Sequence, residues 1–133
     1  MEIKESGQSL AEILDESPCN FLATQSIAKR LEAAGYQRLS QRDKWAVKPG
    51  DRFYVTKNDS AIFAFNIGKN AIADDGFRII TAHTDSPGFR IKPHAEITGE
   101  GGVVKLNTEV YGGPILYTWF DRPLSVAGRV LLH

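Results

Sequence analysis

At 133 residues, with sixteen basic side chains balanced by sixteen acidic ones, the chain is one domain at most, and no basic stripe is available to neutralise phosphates, which argues against nucleic-acid binding. No apolar stretch approaches the ~20 residues that span a bilayer, and the opening Met-Glu-Ile-Lys-Glu-Ser lacks the apolar centre of a secretory signal. The single cysteine, Cys19, admits no intrachain disulfide, so the composition favours a cytoplasmic protein with neither nucleic-acid nor membrane partners.

Two helices are expected to open the chain. Ser9 to Glu16 reads as a short one. The second has Ser17 as N-cap, Pro18 at its first position and Gly35 just past its end. Ala23, Ile27, Leu31 and Ala34 share one face of it, while Lys29, Arg30 and Glu32 lie elsewhere. A polar connection follows, carrying Trp45 and a Lys48-Pro49-Gly50-Asp51 turn.

From Arg52 onward the pattern is that of strands. Arg52 to Thr56 and Ala61 to Ile67 flank Lys57-Asn58-Asp59-Ser60 and predict a hairpin. Phe77 to Ala82, with Ile79 beside Ile80, predicts a central strand covered on both faces. Over residues 89–98, Phe89, Ile91, Pro93, Ala95 and Ile97 alternate with Arg90, Lys92, His94, Glu96 and Thr98, the pattern of a strand with one solvated face. Pro93 cannot donate to a ladder and marks an edge or a bulge. Gly99 to Gly102 turns the chain into a partner strand with Val104, Leu106 and Val110 on one face, and Leu124 to Leu132 reads as a last strand. That strand ends on Val130-Leu131-Leu132 without a turn signal, so the C-terminus reads as a cut through a larger domain. The fold class is α/β, with N-terminal helices followed by a mixed β-sheet.

The stretch Thr81-Ala82-His83-Thr84-Asp85-Ser86-Pro87-Gly88 carries the chemistry. An apolar strand delivering His83 to its carboxyl end would place it where open α/β sheets bind ligands. Neutral imidazole is a common zinc ligand, and a carboxylate that accepts the other ring N–H fixes its tautomer; Asp85 stands two residues on. The spacing leaves a second reading open, a histidine satisfied by local hydrogen bonds. His94 falls on the solvated strand face, and His133 ends the chain. Ser86 beside His83 and Asp85 does not make a hydrolase triad, because the Gly-x-Ser-x-Gly context is absent and a turn serine is the simpler account. Gly99 to Gly102 lacks the Lys-Ser/Thr and the helix of a phosphate loop. Cys19 reads as a small core residue. The segment from Tyr111-Gly112-Gly113 to Pro123-Leu124 combines permissive glycines with Tyr117, Trp119 and Phe120, and Asp121 and Arg122 suit either a salt-bridged turn or substrate orientation.

Taken together, residues 82–93 and residues 111–130, from Tyr111-Gly112-Gly113 through Thr118-Trp119-Phe120-Asp121-Arg122-Pro123-Leu124 to Val130, resemble the aspartyl aminopeptidase family of zinc metallopeptidases, as do Trp45 to Gly50 and the Tyr54 to Ser60 hairpin. The resemblance implies the N-terminal portion, residues 1–133, of an α/β/α catalytic domain in a cytosolic exopeptidase with two zinc ions per site. It implies His83 as a zinc ligand and Asp85 as its supporting catalytic carboxylate. It also implies a peptide substrate, with acidic N-terminal residues favoured by some members, and a homo-oligomer at full length. No substrate-binding residue is identifiable. The remaining ligands and the general base are expected outside this chain, so the fragment alone is expected to be inactive. The alternative is a non-catalytic interaction module that offers the edge of the 89–110 hairpin to another chain.

Overall fold

Three consecutive residues of one strand, Phe53, Tyr54 and Val55, are buried, at 6%, 1% and 7% exposure. Successive strand side chains point to opposite faces, so a run of three buried residues requires cover on both sides. The computed structural model describes residues 3–132 and shows how that cover is supplied. The chain divides into two compact units, one built from residues up to 85 together with those from 127 onward, the other from residues 86–126.

In the first unit, helices α1 (Ile3–Glu16) and α2 (Asn20–Ala33) precede a mixed sheet of β1 (Gln37–Arg38), β2 (Arg52–Lys57) and β3 (Ala61–Asn66). The strand order is β1-β2-β3, with β1 parallel to β2 and β3 antiparallel to it, so β2 is hydrogen-bonded on both edges. Tyr54 points toward α2, where its hydroxyl donates to the Glu32 carboxylate. On the opposite face Phe53 lies across from Phe65, ring centroids 5.9 Å apart, and Trp45 stacks on Phe65 at 5.8 Å. The Trp45 indole N–H donates to the Ser40 carbonyl at 2.7 Å, so the polar connection carries the aromatic cover for β2. The expected turn at Lys48–Asp51 is present, closed by the Asp51 N–H to the Lys48 carbonyl at 3.1 Å.

The two helices meet differently from the sequence expectation. Ser17 does not cap α2. Its N–H donates to the Leu14 carbonyl at 3.2 Å and so finishes α1, which starts earlier than Ser9. The N-cap of α2 is Cys19, with no side-chain hydrogen bond to the helix. What ties the helices is Glu16, which accepts from Ser26 Oγ at 2.6 Å and from the Arg30 guanidinium at 3.3 Å. The Ser26 hydroxyl, followed by the Arg30 charge, holds the Glu16 carboxyl below the ordinary glutamate range. Gly35 ends α2 as the sequence indicates. With φ of 84° it lets its own N–H reach the Glu32 carbonyl at 2.9 Å and the Tyr36 N–H reach the Leu31 carbonyl at 2.9 Å, satisfying carbonyls that the helix leaves open.

The β2–β3 hairpin forms at the expected place, turning through Asn58 and Asp59, which both have positive φ, 52° and 54°. Asn and Asp tolerate this region better than most residues. The run 77–82 differs from expectation. After the short α3 (Ile72–Asp75) it is an unpaired stretch without regular secondary structure, whose Phe77, Ile79 and Ile80 are 76%, 72% and 99% exposed. An apolar run makes a central strand only with partner strands at its edges, and among the described residues none pairs with it. The same holds for 124–132, which is not a strand. The strand covered on both faces is β2.

The second unit is a long hairpin, β4 (Gly88–Thr98) and β5 (Val104–Tyr111), joined by the glycine turn, with Gly101 and Gly102 at φ of 72° and 77°. Pro93 lies within a register shift between Ile91 and Glu96, where β4 advances five residues while β5 advances two, from Thr108 to Leu106. The excess is odd, so it exchanges the faces of β4 beyond the shift. Ile97 therefore sits opposite Lys105, on the face that carries Arg90 and Tyr111, and not with Phe89 as strict alternation predicted. The Arg90 guanidinium lies 3.5 Å from the Tyr111 ring centroid. Phe89 meets Trp119 edge-on at 5.4 Å, which places the Leu116–Trp119 helical turn against the hairpin.

Burial, reinforced by the Glu32 carboxylate, pushes the Tyr54 hydroxyl above its ordinary pKa. Its raised value in the fold means the contribution is complete below the ordinary tyrosine pKa and is lost as pH rises through the raised one. Tyr54→Phe should destabilise the protein by about 1 to 2 kcal/mol at neutral pH. In urea unfolding the variant should also lose less stability than the parent between neutral pH and the tyrosine range; equal alkaline losses would contradict the Tyr54 assignment.

Candidate metal centre

His83 follows the unpaired run 77–82 instead of capping a paired strand, and it makes local contacts with Asp85. Its Nδ1 is 2.8 Å from the Asp85 backbone carbonyl and 3.2 Å from the Asp85 carboxylate Oδ1. The chain thus curls back over two residues and brings His83 and Asp85 together. The backbone carbonyl and the ionised carboxylate are both acceptors, so in the neutral ring this geometry places the proton on Nδ1 and leaves the lone pair on Nε2. A metal ligand needs that free lone pair, and a partner on the other nitrogen sets which nitrogen offers it. The imidazole is 79% exposed and the Asp85 side chain 37%. The donor set therefore fits one zinc ligand with its orienting carboxylate.

It fits no more than that. Among the described residues no three His, Cys, Asp or Glu side chains group closely enough to hold a metal. His94 is exposed on β4, with its backbone carbonyl accepting from Asn107 Nδ2 at 3.0 Å, and His133 lies outside the described residues. Ser86 is exposed. Cys19 is half-buried and free, at the start of α2. Asp121 has a φ of 55° in the turn after Trp119, and Arg122 is exposed beside it. A groove of about 660 Å³ between α2, β2 and residues 128–130 is lined by Phe21, Lys29, Glu32, Arg38, Tyr54 and Arg129 among others, and not by His83 or Asp85.

Sequence reasoning passed over Thr84. Its hydroxyl is part-buried and donates to the Ser60 carbonyl at 2.7 Å, tying the segment between His83 and Asp85 to the β2–β3 turn. Arg129 was also missed. Its guanidinium donates to the Asn58 carbonyl of the same turn at 3.0 Å and lies 4.4 Å from the Phe21 ring centroid. These contacts join residues 24 and 71 positions apart, and no local pattern signals either.

The family described as aminopeptidase I zinc metalloprotease (M18) matches residues 13–133. The chain belongs to this family. It is 54% identical over 123 residues to the probable M18 family aminopeptidase 2 of Clostridium novyi (strain NT), covering 92% of this chain and 28% of the relative. To the protein of the same name from Pseudomonas putida (strain GB-1) it is 55% identical over 121 residues, covering 91% and 28%. The chain therefore spans little more than a quarter of the length of these M18 relatives. Among solved structures, a chain of the cryo-EM structure of the Ape4 and Nbr1 complex matches with TM-score 0.83 at 38% identity, over 90% of this chain and 23% of that one. Chaetomium thermophilum mApe1 matches with TM-score 0.78 at 31% identity, over 86% and 26%. The S. cerevisiae mApe1 dodecamer matches with TM-score 0.77 at 25% identity, over 86% and 27%. The α/β fold of helices followed by mixed sheet is thus the fold of M18 aminopeptidases.

The tautomer of His83 can be read directly. ¹⁵N-resolved NMR of the metal-free protein should show the neutral imidazole protonated at Nδ1. A neutral ring protonated at Nε2 would remove the geometric basis of the candidate site.

Proposed function

We propose that this chain is the N-terminal portion of the catalytic domain of a zinc-dependent aminopeptidase that removes N-terminal residues from peptides. The observation that carries the proposal is the His83–Asp85 contact, which leaves Nε2 available for a metal, in a chain that belongs to a zinc metalloprotease family. His83 would hold zinc through Nε2. Bound zinc supplies Lewis-acid polarisation of a peptide carbonyl and activation of water for its hydrolysis. Asp85 keeps the ring proton on Nδ1 and fixes the ring plane through two contacts on the same nitrogen, one from its backbone and one from its carboxylate. An anionic partner on Nδ1 also makes the imidazole a stronger electron donor at Nε2.

The remaining ligands of a two-zinc site and the general base belong, in this reading, to parts of the protein outside these residues. The exposed apolar runs at 77–80 and 130–132 are consistent with surfaces that those parts cover. One of the matched structures is a dodecamer, which supports a homo-oligomer at full length. The lone cysteine supports a cytoplasmic setting. Peptides with acidic N-terminal residues are one substrate preference to assay.

In the full-length enzyme, His83→Ala should remove one zinc per subunit and most peptidase activity, measured by elemental analysis and turnover; unchanged zinc and turnover would sink the ligand assignment. The 133-residue chain alone should hydrolyse no peptide and bind zinc weakly. Tight stoichiometric zinc in calorimetry would show that this chain closes a site by itself.

A further inference from the structure

We infer that the β2–β3 turn is a clasp, at which the chain both leaves the first unit for residues 86–126 and rejoins it, and that Arg129 fastens the return. The inference stands on contacts within the first unit and holds whether or not His83 binds zinc. That unit is built from two stretches of chain, one ending at residue 85 and the other starting at residue 127, so residues 86–126 are an excursion from it. The end of the first stretch and the start of the second are tied to one turn. Thr84 Oγ1 donates to the Ser60 carbonyl at 2.7 Å, and Arg129 Nη1 donates to the Asn58 carbonyl at 3.0 Å.

The backbone of the turn suits this double use. It closes internally through the Ser60 N–H to the Lys57 carbonyl at 3.1 Å, with Asn58 and Asp59 at φ of 52° and 54°. The carbonyls of Asn58 and Ser60 then accept from the two ends of the excursion. Arg129 suits the return because its guanidinium serves two partners at once. One N–H reaches the Asn58 carbonyl, while the group lies over the Phe21 ring of α2, 4.4 Å from the centroid. The return is thereby held to α2 as well as to the hairpin, two elements already joined by the Tyr54 hydroxyl and the Glu32 carboxylate. Because both ties use one turn, loosening it at Asn58 loosens it at Ser60. The two ends of the excursion are therefore coupled through residues 58–60.

The test is amide hydrogen exchange by mass spectrometry in the full-length enzyme, where exchange reports how often each segment opens. Arg129→Met keeps a long side chain and removes the donor and the charge. Exchange should rise about tenfold at 127–131, the worth of one hydrogen bond and one cation–π contact at a surface, and about threefold at 57–61 and 82–86. Thr84→Val, changed at the other tie, should raise exchange about threefold at 57–61 and at 127–131. Arg129→Lys keeps the charge without the planar fork and should fall between the parent and Arg129→Met. The signature of a clasp is this reciprocal effect between segments distant in sequence. Exchange at 82–86 within about twofold of the parent in Arg129→Met would show two independent contacts and overturn the clasp. If Arg129→Met does not fold, Thr84→Val decides the matter: exchange at 127–131 within about twofold of the parent overturns the clasp, and a larger rise upholds it.

Discussion

Burial of β2 on both faces is the constraint from which the rest of the first unit follows. Phe53 and Val55 occupy one face, and Tyr54 the other. Tyr54 brings α2 to the sheet through Glu32, and the Glu16–Ser26 contact then brings α1 to α2. Phe53 brings Phe65, and Phe65 brings Trp45, so the long polar connection is folded down over the strand without regular structure of its own. β1, only two residues long, completes the second edge of β2 through Gln37 and Arg38. β2 is thus paired on both edges at Phe53 and Tyr54 and covered on both faces.

The chemistry of His83 depends on where one proton sits. An exposed histidine can carry its neutral proton on either nitrogen, and each choice presents a different atom to a metal. Here the Asp85 backbone carbonyl and carboxylate both approach Nδ1, and neither can donate. The backbone contact is the closer one, at 2.8 Å against 3.2 Å, so part of the orientation survives any change of the Asp85 side chain. Thr84, between them, turns its hydroxyl to Ser60 and links this local device to β2 and β3.

What could be read from the sequence was what local patterns encode. Gly35 marked the end of α2, Asn58-Asp59 the hairpin, Pro93 the irregularity in β4, and His83-x-Asp85 the proximity of ring and carboxylate. Each is a short-range consequence of backbone sterics or of two residues in reach of one another. The failures have longer-range causes. Ser17 satisfies the capping pattern of α2 but is used to finish α1, because the two helices are three residues apart and Glu16 binds back to α2. Ile97 changed faces because strict alternation cannot register how many residues the irregularity at Pro93 absorbs. Phe77 to Ala82 and Leu124 to Leu132 read as strands from composition, yet a strand exists only with a partner. Thr84 and Arg129 were invisible because their acceptors are backbone carbonyls, which every residue possesses.

The central claim is that Nε2 of His83 is a zinc ligand. Anomalous scattering at the zinc edge, from crystals of the full-length protein, tests it most directly. The account predicts an anomalous peak about 2.1 Å from His83 Nε2, with Nδ1 still on Asp85. A zinc peak bound to Nδ1, or zinc held elsewhere with His83 beyond coordination distance, would contradict it.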